Sequence, residues 1–259
     1  MIPIKEPWEL GVMRTAGRKL AEVVAGLREK IVVGIPTIDL DRITEEAILA
    51  LGAKPAFKGY KVGRAVFPAT ICVSINEQVV HGIPSKRRLE EGDLVSLDFG
   101  LVYGGYYADS AFSVGMPPVS PATAQLLDTT EKSLYEAVAR ARVNNRIGDI
   151  GHTVQSYCES RGLGVVTQFV GHGIGRKLHE EPSVPNFGKA GTGFPLKAGM
   201  VLAVEPMVTL GSPRTRILKD DWTVVTEDGS RAAHFEHTVA ITPTGPEILT
   251  VLEPIPPIR

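Results

Sequence analysis

The sequence predicts a duplicated α+β fold, and three observations carry that prediction. Two helices followed by a strand occur in the first half of the 259 residues and return in the same order in the second. The segment Leu89 to Asp98 lies over Leu196 to Glu205 without a gap, matching Leu, Gly, four apolar or small positions and a final carboxylate. His81-Gly82-Ile83-Pro84 likewise resembles His172-Gly173-Ile174-Gly175. A duplication should keep special positions in register as well as element order, so the chain reads as a single domain, 1–259, with halves at about 1–115 and 116–250.

In chain order, Trp8 to Lys30 repeats apolar residues at spacings of three and four through Leu10, Met13, Leu20, Val23 and Leu27, which predicts a helix. Gly34 and Pro36 end it, and Thr37 is placed to cap a second helix that Gly52 closes. Thr70 to Ile75 alternates as a strand. Leu94 to Leu101 and Tyr106 to Val114 read as a hairpin around Gly104-Gly105, a turn that permits positive φ at both positions. Helices follow at about Pro121 to Arg142 and Asp149 to Arg161, then strands at Val165 to Val170, Val201 to Val204 and His234 to Thr238.

Composition excludes several classes. With 28 basic against 29 acidic residues the net charge is −1, so a nucleic-acid clamp built on phosphate neutralisation is not expected. Hydrophobic residues at 43% and charged residues at 22% match ordinary globular usage. No apolar run reaches the ~18 residues of a membrane helix, and the start of the chain lacks a signal peptide's apolar core, so a cytoplasmic protein without a membrane partner is expected. Cys72 and Cys158 cannot form a disulfide framework, and no C-x-x-C pair offers structural zinc.

The hairpin carries the sharpest local inference. A two-residue turn sets Asp109 opposite Gly100 and Asp98 opposite Ala111, so both carboxylates share one face as diagonal neighbours. Such a pair suits either a solvent-facing sheet surface or a cation between the two side chains. The duplication places Glu205 in the position of Asp98, and Glu236 falls on the face opposite Phe235 and His237. His172 and His179 lie in a glycine-rich segment that argues against a helix, and the glycine on each side of His172 allows close backbone approach to whatever the imidazole binds. A lone histidine is more often a core residue than a ligand, but beside four strand-borne carboxylates it completes an oxygen-rich donor set. That set has room for two divalent ions, Mn, Fe, Co or Zn, and carboxylate-bridged pairs of such ions support hydrolysis.

These residues sit in six ordered motifs: Val80 to Pro84, Leu97 to Gly100, Tyr107 to Ser110, Gly171 to Gly175, Val204 to Pro206 and Phe235 to Thr238. Through them the chain resembles the type I methionine aminopeptidases in their short bacterial form. The resemblance implies a pita-bread fold, two pseudo-symmetric halves with a curved antiparallel sheet covered by helices, forming a single catalytic domain. It implies that Asp98 chelates one ion, that Asp109 and Glu236 bridge two, and that His172 and Glu205 complete the second site. Glu205 would relay a proton, His179 would steady the developing oxyanion and His81 would contact the new N-terminus. Tyr60, Phe67, Cys72 and Trp222 match the methionine pocket. The loop from Lys61 to Ala69 is longer than the common bacterial pattern, and Leu178 stands where an aromatic often occurs. Ala232 replaces the serine of a monovalent-cation site found in some relatives, so that cation is not carried over.

The implied substrate is the N-terminal methionine of nascent polypeptides with a small second residue, handled by a monomer. The ribosome is a candidate partner through Lys86, Arg87 and Arg88. The competing readings are a proline-directed aminopeptidase or dipeptidase of the same fold, and a non-catalytic binding protein on the same scaffold.

Overall fold

Apolar residues at helical spacing close α1 (Pro7–Arg28), α2 (Thr37–Ala50), α3 (Pro121–Val138) and α4 (Ile147–Glu159). The computed structural model describes residues 2–252; Met1 and residues 253–259, part of the expected domain 1–259, lie outside the described residues. Glu6 and Glu9 form a capping box at the start of α1, and Ser120 accepts the Thr123 amide at the start of α3. Two helical expectations change. Thr37 does not cap α2 but is its first residue, and its hydroxyl instead donates to the Ser85 carbonyl and accepts the Ser85 amide. Helix α3 stops before Arg142, because Arg142 Nε and Asn145 Nδ2 satisfy the carbonyls of Ala139 and Arg140.

The main sheet comprises β1 (Lys54–Pro55), β2 (Ile71–Ile75), β3 (Leu94–Tyr103), β4 (Tyr106–Gly115), β5 (Gly171–Gly173), β6 (Glu180–Val184), β7 (Val201–Val204), β8 (Glu236–Thr242) and β9 (Gly245–Ile248). Its strand order is β1-β3-β4-β8-β7-β5-β6, with β2 on β3 and β9 on β8. The hairpin register agrees with the sequence: Gly100 faces Asp109, Asp98 faces Ala111, and Gly104 and Gly105 have φ of 59° and 81°.

Two predicted strands are broken by tertiary pairing. Of the segment 165–170 only Val165 joins a ladder, together with Gly164 before it, and Phe169 and Val170 turn into a cavity instead. At Phe235 the chain changes sheets: Ala232–His234 pairs with Met207–Thr209, whereas Glu236 opens β8 against β4.

The aligned segments Leu89 to Asp98 and Leu196 to Glu205 sit alike. Gly92 and Gly199 have φ of 79° and 89°, and isolated bridges join Pro36 to Arg88 and Arg146 to Pro195 just before each segment. The ladders correct the other matched window. Ser96 faces Ser74 and the corresponding Ala203 faces His172, so the first-half counterpart of His172 is Ser74 rather than His81.

One core joins both halves, drawing Leu20, Leu40 and Leu97 together with Leu134, Ile150 and Leu202. Among the described residues no helix is long and apolar enough to cross a membrane. In the basic triad, Arg87 chelates Asp93 at 2.7 and 2.9 Å and Arg88 donates to the Gly34 carbonyl, so two of its three cations are already engaged.

Candidate metal centre and substrate pocket

Adjacent strands aim the four carboxylates into one cavity of about 330 Å3. Asp98 comes from β3, Asp109 from β4 and Glu236 from the start of β8, and Glu205 follows β7 directly. Thr238 fixes Asp109 through the backbone alone, its hydroxyl accepting the Asp109 amide at 3.0 Å and donating to the carbonyl at 2.8 Å. The carboxylate is thereby left free for the cavity.

Electrostatics single out this cluster. Asp98 Oδ1, Asp109 Oδ1, Glu236 Oε1 and His234 Nε2 are buried without a hydrogen-bond partner. Burial pushes Asp98 up to about 6 and Glu205 up to about 8. Asp109 and Glu236 rise well above the usual carboxylate range, first through burial and then through the neighbouring carboxylates. Buried unpaired charges each cost several kcal/mol, and cations between them remove that cost.

The donor set fits divalent ions. Ligand atoms of Asp109, His172 and Glu236 lie within 4.8 Å of one another. His172 Nδ1 contacts the Gly173 carbonyl at 2.9 Å, so Nδ1 carries the proton and the Nε2 lone pair faces Glu205 Oε1 at 3.5 Å and Asp109 Oδ2 at 3.9 Å. Burial lowers its pKa to about 3, which keeps the imidazole neutral and able to ligate. The glycines beside His172 serve a different purpose from the one expected. A Cβ at Gly171 would strike the Ala203 carbonyl, and one at Gly173 the Glu181 carbonyl. They therefore admit the neighbouring strands rather than a ligand.

His81, His179, Tyr60, Phe67, Cys72 and Trp222 line the same cavity as the five acid and histidine candidates. His81 adopts φ of 60°, a left-handed conformation uncommon outside glycine, although histidine takes it more readily than most residues, and one that concentrates at functional sites. The next residue, Gly82, packs closely on β2: a Cβ there would strike the Val73 carbonyl, and its own carbonyl accepts the Val73 amide at 2.8 Å. The His81 ring stands edge-on to Phe169 and Trp222, and burial lowers its pKa to about 4. His179 is exposed as a residue, but Tyr60 and His172 enclose its ring, and that burial lowers its pKa.

Phe67 meets Trp222 edge-on at 5.2 Å. The longer loop does not displace it. Lys61–Val62 and Ala65–Val66 close a small hairpin, and the Phe67 amide bonds the Tyr60 carbonyl at 2.9 Å. Cys72 pairs with Asp98 across β2 and β3, and Leu178 also lines the wall. Sequence reasoning missed Phe57, Phe169, Met207 and His234 at this cavity. Only His234 carried a readable signal, standing two residues before Glu236 on an apparently alternating strand.

A sheet that gathers acids and a histidine from both halves of the chain defines a metal-dependent hydrolase of the pita-bread fold. The chain belongs to Metallopeptidase family M24, whose profile matches residues 11–243. It is 49% identical over 253 residues to a methionine aminopeptidase of Clostridium perfringens, covering 98% of this chain and 100% of that one. It is 48% identical over 250 residues to methionine aminopeptidase 1 of Bacillus subtilis, covering 96% and 99%. The crystal structure of methionine aminopeptidase from Thermotoga maritima superposes with a TM-score of 0.94 at 44% identity, covering 97% of this chain and 100% of that one.

Proposed function

We propose that the protein removes the N-terminal methionine of nascent polypeptides by hydrolysis when the second residue is small, acting in the cytoplasm as a monomer. The observation that carries this reading is a single cavity holding both the acid and histidine donors and the apolar slot of Tyr60, Phe67, Cys72 and Trp222. Asp98 and Asp109 would hold one divalent ion and His172 and Glu205 a second, with Asp109 and Glu236 shared; cobalt, manganese, iron and zinc all suit these donors. When bound, such ions acidify a water and polarise the scissile carbonyl.

The chain's own groups do the rest. The slot takes the unbranched methionine side chain and leaves the α-amino group near the carboxylates. Glu205 accepts the proton lost by the attacking water. The Tyr60 hydroxyl lies 2.6 Å from His179 Nδ1, and with burial holding the phenol protonated it would donate to that nitrogen. That leaves the proton of His179 on Nε2, where it can stabilise the developing oxyanion. Neutral His81 contacts the newly formed amine.

Steady-state hydrolysis of Met-Ala-Ser, Met-Lys-Ser and Ala-Pro peptides after adding Mn(II), Fe(II) or Co(II) tests this reading. Met-Ala-Ser is expected to be the substrate; equal rates for Met-Lys-Ser would remove the size rule, and faster Ala-Pro cleavage would favour a proline-directed peptidase.

A further inference from the structure

His234 belongs to none of the roles assigned above, yet it faces the same carboxylate as His172. Its Nε2 lies 3.6 Å from Glu205 Oε2, while His172 Nε2 lies 3.5 Å from Glu205 Oε1. One imidazole therefore stands at each oxygen of Glu205. We propose that His234 is a positioning residue: its Nε2–H donates to Glu205 Oε2 and keeps Oε1 turned toward His172 and the metal donors. The inference rests on the metal reading of the cavity.

The two imidazoles are built for different tasks. His172 spends its Nδ1 on the Gly173 carbonyl, which leaves a lone pair at Nε2. His234 Nε2 is buried without a partner. A lone pair there would face a carboxylate oxygen and repel it, so the tautomer with hydrogen on Nε2 is the favoured one. Closing from 3.6 Å to a charge-assisted bond of about 2.8 Å needs under an ångström of movement.

Both partners are also fixed from behind. Ser113 Oγ accepts the His234 amide at 2.9 Å and donates to the His234 carbonyl at 2.9 Å, and Ser96 meets the same hydroxyl at 2.7 Å. Since Ser113 already gives its proton to His234, Ser96 is the donor of that pair. Asn186 Nδ2 holds the Glu205 carbonyl at 2.9 Å. The two backbones are anchored from β4 by Ser113 and from the segment after β6 by Asn186, so the facing of imidazole and carboxylate is set by the fold.

The test compares His234→Gln, which keeps a side-chain N–H, with His234→Leu, which removes it. Co(II) is titrated into the metal-free proteins by calorimetry, and the visible absorption of bound Co(II) is recorded. H234Q is expected to bind within about threefold of wild type with the same spectrum, and H234L about 10–100-fold more weakly. In a Glu205→Gln background, H234L is expected to add less than about twofold, because its effect runs through Glu205. Wild-type affinity in H234L, or an undiminished loss in the E205Q background, would overturn the proposal. So would an H234Q protein as weak as H234L with an altered spectrum, which would make His234 a direct ligand. His234→Asn, too short to reach Oε2, carries the same comparison if H234L does not fold. A wild-type protein that takes up no Co(II) would instead overturn the metal reading beneath it.

Discussion

Asp109 shows how this chain separates holding a residue from using it. Thr238 grips its backbone, and its carboxylate is buried with Oδ1 unbonded. Asp109→Asn should therefore fold, and its metal-free form should melt no lower than wild type because a buried charge has gone. Its kcat/KM should fall by at least about a hundredfold, ~2.7 kcal/mol of transition-state stabilisation. A fully metallated, active variant would refute the bridging role. The thiols give a second residue-scale expectation. Burial pushes Cys158 up to about 11 and Cys72 well above its ordinary value, so neither should alkylate readily at pH 8 in the native protein, and both should do so in denaturant, as counted by mass spectrometry. Asp98 and Asp109 were legible because a two-residue turn fixes the hairpin register. Phe169 and Met207 were not, because they reach the cavity from segments whose direction depends on distant strands.

Elements were legible where their signal is local. Helix α1 follows from its apolar spacing, and its packing supplies a paired test. A Cβ at Gly17 would run into the Leu249 carbonyl, whereas one at Gly11 meets nothing within 4 Å. Gly17→Ala should cost about 1–3 kcal/mol. Gly11→Ala should gain about 0.5–1 kcal/mol from the unfolded state and helix propensity. Opposite shifts in the denaturation midpoint are the readout, and two equal shifts would contradict the packing argument. The loop before β6 has no local signal, since its anchor comes from far away in the chain. Lys5 reaches Glu180 at 2.7 Å with both side chains nearly buried, and the Lys177 amide bonds the other carboxylate oxygen at 3.1 Å. Lys5→Met leaves Glu180 unpaired, which should cost about 3–5 kcal/mol. Because His179 adjoins Glu180, kcat on Met-Ala-Ser should fall even at temperatures where the variant remains folded; an unchanged kcat would show that the ion pair only holds the fold. The break at Phe235 was equally hidden, because nothing in His234 to Thr238 tells which sheet each residue joins.

At the scale of the whole molecule the cavity lies where the two halves meet. Strand β4 supplies Asp109 and β8 supplies Glu236, yet these strands pair at only Glu236 with Ala111 and His237 with Ser110. A cation shared by Asp109 and Glu236 would therefore tie together two strands that the ladder joins only briefly. If residues 1–259 form one catalytic domain built from halves 1–115 and 116–250, as we propose, loading the site should stabilise both halves at once. Binding to the folded state alone adds RT ln(1 + [L]/Kd), about 2.7 kcal/mol when Mn(II) stands at a hundred times its Kd. For a chain of this size each kcal/mol shifts Tm by about 2–4 °C, so a rise of roughly 5–11 °C is expected in a single transition. Hydrogen exchange should slow in β3 and β4 and also in β7 and β8. Protection confined to one pair of strands, or a Tm that ignores Mn(II), would mean that the acids do not share a cation across the junction. Asp109→Asn provides the internal control, since it keeps the ladder and should lose most of the shift.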